Sequence, residues 1–252
     1  MIDVIPTHYP PPFELFGQQK PLGVVGGMGS LATANFLQVL ARKSRADRDQ
    51  DHIPFIALSL PNIFDRSQAI SIGSAAPLRQ IVERAYWLEK AGCGAIAIPC
   101  NTAHFWDSQI KQALSIELIN LKAITRKAIY EARHNENNDL RIITLGTSAT
   151  MQHSLYPPTT VNRFGDEFLH GFKGLQDATV KIIGDVKSGN ITRAEANLTR
   201  LIQKIRSYKP DIIILGCSEL SAISASLAND DDVIDPINIL ADACIKWWQN
   251  DG

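Results

Sequence analysis

GCGAIAIPCNTAHF, residues 92–105, and PDIIILGCSELSAI, residues 210–223, share one plan. In each, a short apolar run ends on a cysteine and a small polar residue, and the chain continues toward a helix. An unbroken apolar run of this length reads as a strand buried on both faces, the signature of a parallel sheet covered by helices. Working outward, PLGVVGG (21–27) is a strand closing on glycine, and LATANFLQVLARKSR (31–45) has helical spacing of Leu31, Phe36, Leu37 and Leu40. FIALSL (55–60) and RIITLGT (141–147) read as further strands, and IELINL (116–121) as a short one. LRQIVERAYWLEKAG (78–92), HFWDSQIKQAL (104–114), AITRKAIYEARHN (123–135), DATVKIIGDVKSGN (177–190), TRAEANLTRLIQKIRSY (192–208) and ILADACIKWWQ (239–249) read as helices. Thr192 and Glu195 have the spacing of a capping box.

Alternating strands and helices predict an α/β fold with two similar lobes, each a parallel-sheet core flanked by helices. The polar run NENND (135–139) and the Pro157-Pro158 turn punctuate the second half. The expected division is a Pro-rich arm over 1–20, a first lobe over 21–123 plus 235–252, and a second lobe over 124–234. In such sheets the carboxyl ends of the strands face the ligand crevice, so Cys100 and Cys217 are expected at equivalent strand ends on either side of it.

Composition excludes several classes. The 252 residues are 45% hydrophobic and 20% charged with a formal net charge of -1, which provides an ordinary core and no basic footprint for nucleic acid or anionic lipid. No stretch approaches the roughly 18 to 20 apolar residues that cross a bilayer. The leader MIDVIPTHYPPPFELFGQQK lacks a cationic start and an apolar core, so a cytoplasmic protein is expected. Four cysteines in a chain of this length are too few for a disulfide scaffold and read as free thiols.

The thiols divide by setting. Cys93 lies at a helix-to-strand turn and Cys244 in an apolar helical stripe, where a small buried residue is the simple reading. Cys100 and Cys217 each end a strand before a helix start, where N–H groups and the helix dipole favour a thiolate. Cys100, His104 and Cys217 lack the spacing of a structural zinc site, so no metal is expected. A hydrolase pair of Cys100 with His104 leaves Cys217 without a role. Gly27-Met28-Gly29-Ser30-Leu31-Ala32 fits a dinucleotide fingerprint, but the following strand ends without the carboxylate that would hold a ribose. The simpler reading is a tight turn whose N–H groups can hold a small anion.

VVGGMGSLAT, RDQDH, NIFDRS, IPCNTAH, IIILGCSEL and DVIDPINILA occur in this order across residues 24–241. Together they resemble the aspartate racemase branch of the pyridoxal-independent aspartate/glutamate racemases. The resemblance implies a cofactor-independent racemase with two α/β lobes, a crevice between them and a homodimer. It implies that Cys100 and Cys217 interconvert L- and D-aspartate as a two-base pair and that Arg66 grips the side-chain carboxylate. Backbone and side-chain donors at Asn101, Thr102, Ser218 and Glu219 are expected around the α-carboxylate, with Met28 and Thr147 lining the crevice and Glu219 and His104 tuning the thiols. Ser218 stands where relatives usually carry threonine, and Glu219 where glutamate-specific relatives often carry histidine, which favours aspartate. Related racemases carry a lysine about a turn and a half before the V-K-x-G-N segment, where Gln176 is expected to stand with Lys173 and Lys181 nearby, so that Arg66 carries more of the recognition. The alternatives are a racemase of glutamate or another acidic amino acid, and a dinucleotide- or carboxylate-binding protein.

Overall fold

Strand β1 (Leu22–Gly26) alternates its side chains between two apolar layers, with Leu22 and Val24 entering one and Val25 the other. It is central to a parallel sheet of order β2-β1-β3-β4, with β2 at Phe55–Ser59, β3 at Ala95–Ala97 and β4 at Glu117–Ile119. The computed structural model describes residues 19–134, 140–153, 155–156, 165–227 and 230–251. Most of the Pro-rich arm, the NENND run and the Pro157-Pro158 turn lie outside them.

Helices cover both faces of this sheet, as an all-parallel sheet requires. On one face, α1 (Ser30–Lys43), α5 (Leu121–His134) and the C-terminal α10 (Pro236–Asp251) bury Phe36, Leu40, Leu121, Ile237, Leu240 and Cys244. On the other, α3 (Ala76–Lys90) and α4 (Asp107–Gln112) bury Ile81, Leu88 and Ile110 against Ile96 and Ile98, with Cys93 in the same layer. Both Cys93 and Cys244 are buried packing residues, and all four cysteines are free.

The second lobe repeats the design with a parallel sheet of order β5-β6-β7, formed by Ile142–Gly146, Ile212–Gly216 and Val233–Ile234. Ile143, Leu145, Ile213 and Leu215 face helices α7 (Gly165–Lys187) and α8 (Ile191–Ser207), while Ile142, Ile212 and Ile214 face Ile129 of α5 and Tyr156. Burying each such isoleucine contributes about 1.5–3 kcal/mol.

Several elements differ from the sequence expectation. The helix expected over 104–114 is a 3-10 turn, Thr102–Trp106, followed by α4. Asp107 restarts the helix by accepting the Ser108 N–H at 2.9 Å through Oδ1. The Thr192 capping box is absent, because α8 begins one residue earlier at Ile191 with no side-chain cap from Asn190. The tight α7–α8 connection, with Gly189 at φ 80° and the Asn190 N–H on the Asp185 carbonyl at 2.8 Å, sets that earlier start. Helices α2 (Arg66–Ser71) and α6 (Ser148–Gln152) and the two-residue β7 are too short to leave a periodic signal.

The turn after β1 depends on Gly27. Its φ is 84°, and a Cβ there would lie 2.5 Å from the Leu60 carbonyl oxygen. Gly27→Ala is therefore expected to cost at least about 2 kcal/mol, since it adds left-handed strain to a backbone clash. A urea unfolding midpoint unchanged from wild type would contradict this.

Candidate active site

The C-terminal ends of β1, β3, β5 and β6 converge on one small crevice. It is lined by Met28, Arg66, Cys100, Asn101, Thr102, Thr147, Cys217, Ser218 and Glu219, and also by Asp65, Ser67 and Lys187. Every residue expected from sequence to bind substrate or carry the acid–base chemistry is thus brought together.

Both thiols stand beyond strand ends at the crevice, Cys217 directly after β6 and Cys100 three residues past β3. Cys100 follows β3 at 5% exposure and Cys217 follows β6 at 4%. The latter is fixed by close pairing of β5 with β6, Gly146 lying opposite Gly216, where a Cβ on Gly216 would sit 2.9 Å from the Leu145 carbonyl. The expected helix starts are only the 3-10 turn at Thr102 and the four-residue α9 (Ser218–Ser221). The local help is therefore individual N–H groups, with Ala103 serving the Cys100 sulfur and Glu219 the Cys217 sulfur.

The surroundings make the thiols unequal. Burial raises the Cys100 pKa, but the Arg66 and Lys187 cations oppose that rise. Burial raises Cys217 further, and there Glu219 adds to it through its charge and a hydrogen bond, the Cys217 thiol donating to Glu219 Oε2 at 2.9 Å. Cys100 is consequently the thiol that ionises more readily, and Cys217 the one that holds its proton. The second carboxylate oxygen of Glu219, Oε1, is buried without a hydrogen-bond partner among the described residues.

Arg66 is held in place by its loop. Asp65 caps α2 by accepting the Gln68 N–H at 2.9 Å, and Gln80 of α3 accepts the Phe64 N–H at 2.8 Å and donates to the Asn62 carbonyl at 3.0 Å. Arg84 donates to Asn62 Oδ1 at 2.6 Å. The Arg66 guanidinium uses Nη1 on the Ile63 and Phe64 carbonyls at 3.2 and 3.3 Å, and no carboxylate pairs with it among the described residues. A bound carboxylate could take the remaining N–H fork.

Lys187 was missed by sequence reasoning. It ends α7 and points its ammonium toward Asp65, 3.8 Å from Oδ2, at the crevice wall. Gln176, the expected occupant of the lysine position, lies eleven residues earlier on the same helix and does not line the crevice. At 1.5 Å per residue that is roughly 16 Å away. The landmark D-V-K-S-G-N itself contains the missed cation, so Arg66 does not stand alone.

Other expected roles change. Thr102 Oγ1 lies 3.1 Å from Thr147 Oγ1 and 3.3 Å from Thr150 Oγ1, and Thr147 and Thr150 are 3.0 Å apart. This ring of hydroxyls joins the lobes, and Thr147 also caps α6 by accepting the Thr150 N–H at 3.2 Å. His104 does not line the crevice. Its Nε2 is bonded to the Ile98 carbonyl at 3.1 Å, and burial lowers its pKa to about 4, which makes it a weak base turned away from the crevice. In the glycine turn, the Gly27 N–H donates to Thr33 Oγ1 at 3.0 Å and is not free for an anion, while Met28 is buried. Among the described residues no cluster of His, Cys, Asp and Glu could hold a metal ion, and no helix is long and apolar enough to cross a membrane.

Two parallel sheets covered by helices thus bring two strand-end thiols, two cations and a buried amide to one crevice. Residues 25–244 match the Asp/Glu/hydantoin racemase family, and the chain belongs to it. It is 28% identical over 229 residues to the broad-specificity amino-acid racemase RacX of Bacillus subtilis, covering 89% of this chain and 96% of that protein. The fold is similar to an aspartate racemase of Picrophilus torridus, with a TM-score of 0.74 at 25% identity over 91% of this chain and 94% of that one. It is also similar to an aspartate racemase homologue of Pyrococcus horikoshii, with a TM-score of 0.66 at 20% identity over 92% and 100% of the two chains.

Proposed function

We propose that this chain interconverts the enantiomers of an acidic amino acid, aspartate foremost, without pyridoxal phosphate, using Cys100 and Cys217 as the two bases. The observation that carries the reading is a small crevice lined at once by two buried strand-end thiols and by Arg66 and Lys187. The α-carboxylate sits at the turns after β3 and β6, where Asn101, Thr102 and Ser218 N–H groups have no preceding helical carbonyl to bond. The side-chain carboxylate engages Arg66, with Lys187 adding charge. A Cys100 thiolate takes the α-hydrogen as a proton, leaving a carbanion stabilised by donors on the α-carboxylate. The Cys217 thiol gives its proton to the opposite face, so its sulfur ends as thiolate and Cys100 as thiol. The reverse direction uses the same steps in reverse order.

The test is α-proton exchange in deuterium oxide, followed by NMR with aspartate, glutamate, asparagine and alanine and no added cofactor. Aspartate is expected to exchange and racemise fastest. No exchange with any acidic amino acid would end this reading. The broad-specificity relative supports keeping neutral amino acids in the panel. Glutamate racemisation faster than that of aspartate would move the assignment to the larger substrate. The family resemblance further supports a cytoplasmic homodimer, with lobes over 21–123 plus 235–252 and over 124–234. Sedimentation as a monomer at working concentrations would remove the dimer.

Glu219 gives a pH prediction. Because its carboxylate raises the Cys217 pKa, Glu219→Gln is expected to move the limb of kcat/KM that reports Cys217 ionisation to lower pH, the basic limb when Cys217 acts as the acid. Arg66 and Lys187 lower the Cys100 pKa, so Lys187→Met is expected to move the limb that reports Cys100 to higher pH. Shifts of the opposite signs would reverse the electrostatic assignment.

A further inference from the structure

Asn101 is 2% exposed, and its two amide ends have different fates. Its carbonyl oxygen accepts a hydrogen bond from the hydroxyl of Tyr156, which comes from the second lobe and lies in the apolar layer behind β5 and β6. Its Nδ2 is buried with no hydrogen-bond partner among the described residues, although the residue lines the crevice. A buried NH2 group without an acceptor is costly unless a ligand supplies one.

We propose that Tyr156 is a positioning residue that acts through Asn101: by donating to Oδ1 it turns the carbonyl away from the crevice and presents Nδ2 as a donor to the substrate's α-carboxylate. The inference rests on the racemase reading above. The opposite amide orientation would set a carbonyl dipole against an anion. The Tyr156 hydroxyl donates to Oδ1 and so favours the orientation that aims Nδ2 into the crevice, and burial raises the phenol's pKa, keeping the proton it donates. The Tyr156 backbone is itself steadied, since the preceding Leu155 carbonyl accepts from Arg126 Nε of α5 at 3.0 Å. The bond also spans the lobes, so the donor is aimed only when the two halves are docked.

The test is a double-mutant cycle of Tyr156→Phe and Asn101→Ala, read as kcat/KM for aspartate beside the thermal midpoint of each variant. Tyr156→Phe is expected to lower kcat/KM roughly ten- to hundredfold, the loss of one hydrogen bond to a charged group, while the fold survives. In the Asn101→Ala background the same substitution is expected to add less than about a twofold loss, because the two act as a unit. A fully additive loss, or Tyr156→Phe with wild-type kcat/KM, would overturn the proposal. Should Tyr156→Phe not fold, the wild-type enzyme still decides. Its Asn101 side-chain NH2 resonances, identified by their loss in Asn101→Ala, must shift when aspartate is added, and resonances that stay in place would overturn it. Wild-type enzyme that exchanges no acidic amino acid would instead refute the racemase reading, which is a separate outcome.

Discussion

Cys100→Ser and Cys217→Ser are each expected to lower racemisation of aspartate by roughly 10²–10⁴-fold, the range lost when a positioned general acid or base is removed. Serine keeps the size and the hydrogen-bonding capacity of the buried side chain but cannot form an anion near neutral pH. Both thiols are almost fully buried, so thermal midpoints close to wild type are needed to separate chemistry from folding. The two variants should also differ in kind. With Cys217 replaced, the Cys100 thiolate can still remove the α-hydrogen of one enantiomer and return deuterium from solvent to the same face. Exchange with retention is then expected for one enantiomer only. Cys100→Ser should leave the same residual exchange for the other enantiomer, and more weakly, because Cys217 is harder to ionise beside Glu219. Racemisation within a few fold of wild type in either stable variant would refute the two-base mechanism. Exchange of the same enantiomer by both would place the thiols on one face.

Arg66→Ala is expected to lower kcat/KM for aspartate by roughly one to two orders of magnitude, the worth of hydrogen bonds to a charged group. The guanidinium is held by the Ile63 and Phe64 carbonyls rather than by a protein carboxylate, so removing it leaves no buried anion stranded. The loss should therefore fall on binding of the side-chain carboxylate. Alanine, which lacks that carboxylate, should be affected less, and an equal loss for both substrates would remove the proposed role. Part of the aspartate loss is expected to come through Cys100, whose pKa rises without the guanidinium. A shift of the acidic limb to higher pH separates that part from binding. Lys187→Met should reproduce the pattern in weaker form, since its ammonium is partly engaged with Asp65 at 3.8 Å.

Much of the candidate site was legible because it is built from strand ends. GAIAIP and DIIILG are unmistakable as buried parallel strands, and the residue that follows such a strand has little freedom in where it points. Cys100 and Cys217 were singled out from those two runs, while the family motif supplied Asn101, Thr102, Ser218 and Glu219 beside them, and all six line the crevice. Arg66 rested on the family motif, since a short α2 with no periodicity cannot announce its own position. The same limit hid Asp65, Ser67 and the hydroxyl ring of Thr102, Thr147 and Thr150, whose members meet only across the lobes.

Sequence by itself determined the alternating α/β order, the buried strands, the division of the thiols into packing and strand-end pairs, and the membership that the ordered motifs carry. These are local properties, written in hydrophobic period and in the turn residues that close each run. Only the tertiary structure decided that Lys187 rather than Gln176 faces the crevice, that His104 turns into the core, that Glu219 holds the Cys217 proton and that Tyr156 reaches Asn101 from the other lobe. Each of these depends on the rotation of a helix or the docking of a lobe. Such choices are set by the packing of whole layers, and nothing in the neighbouring residues of the chain records them.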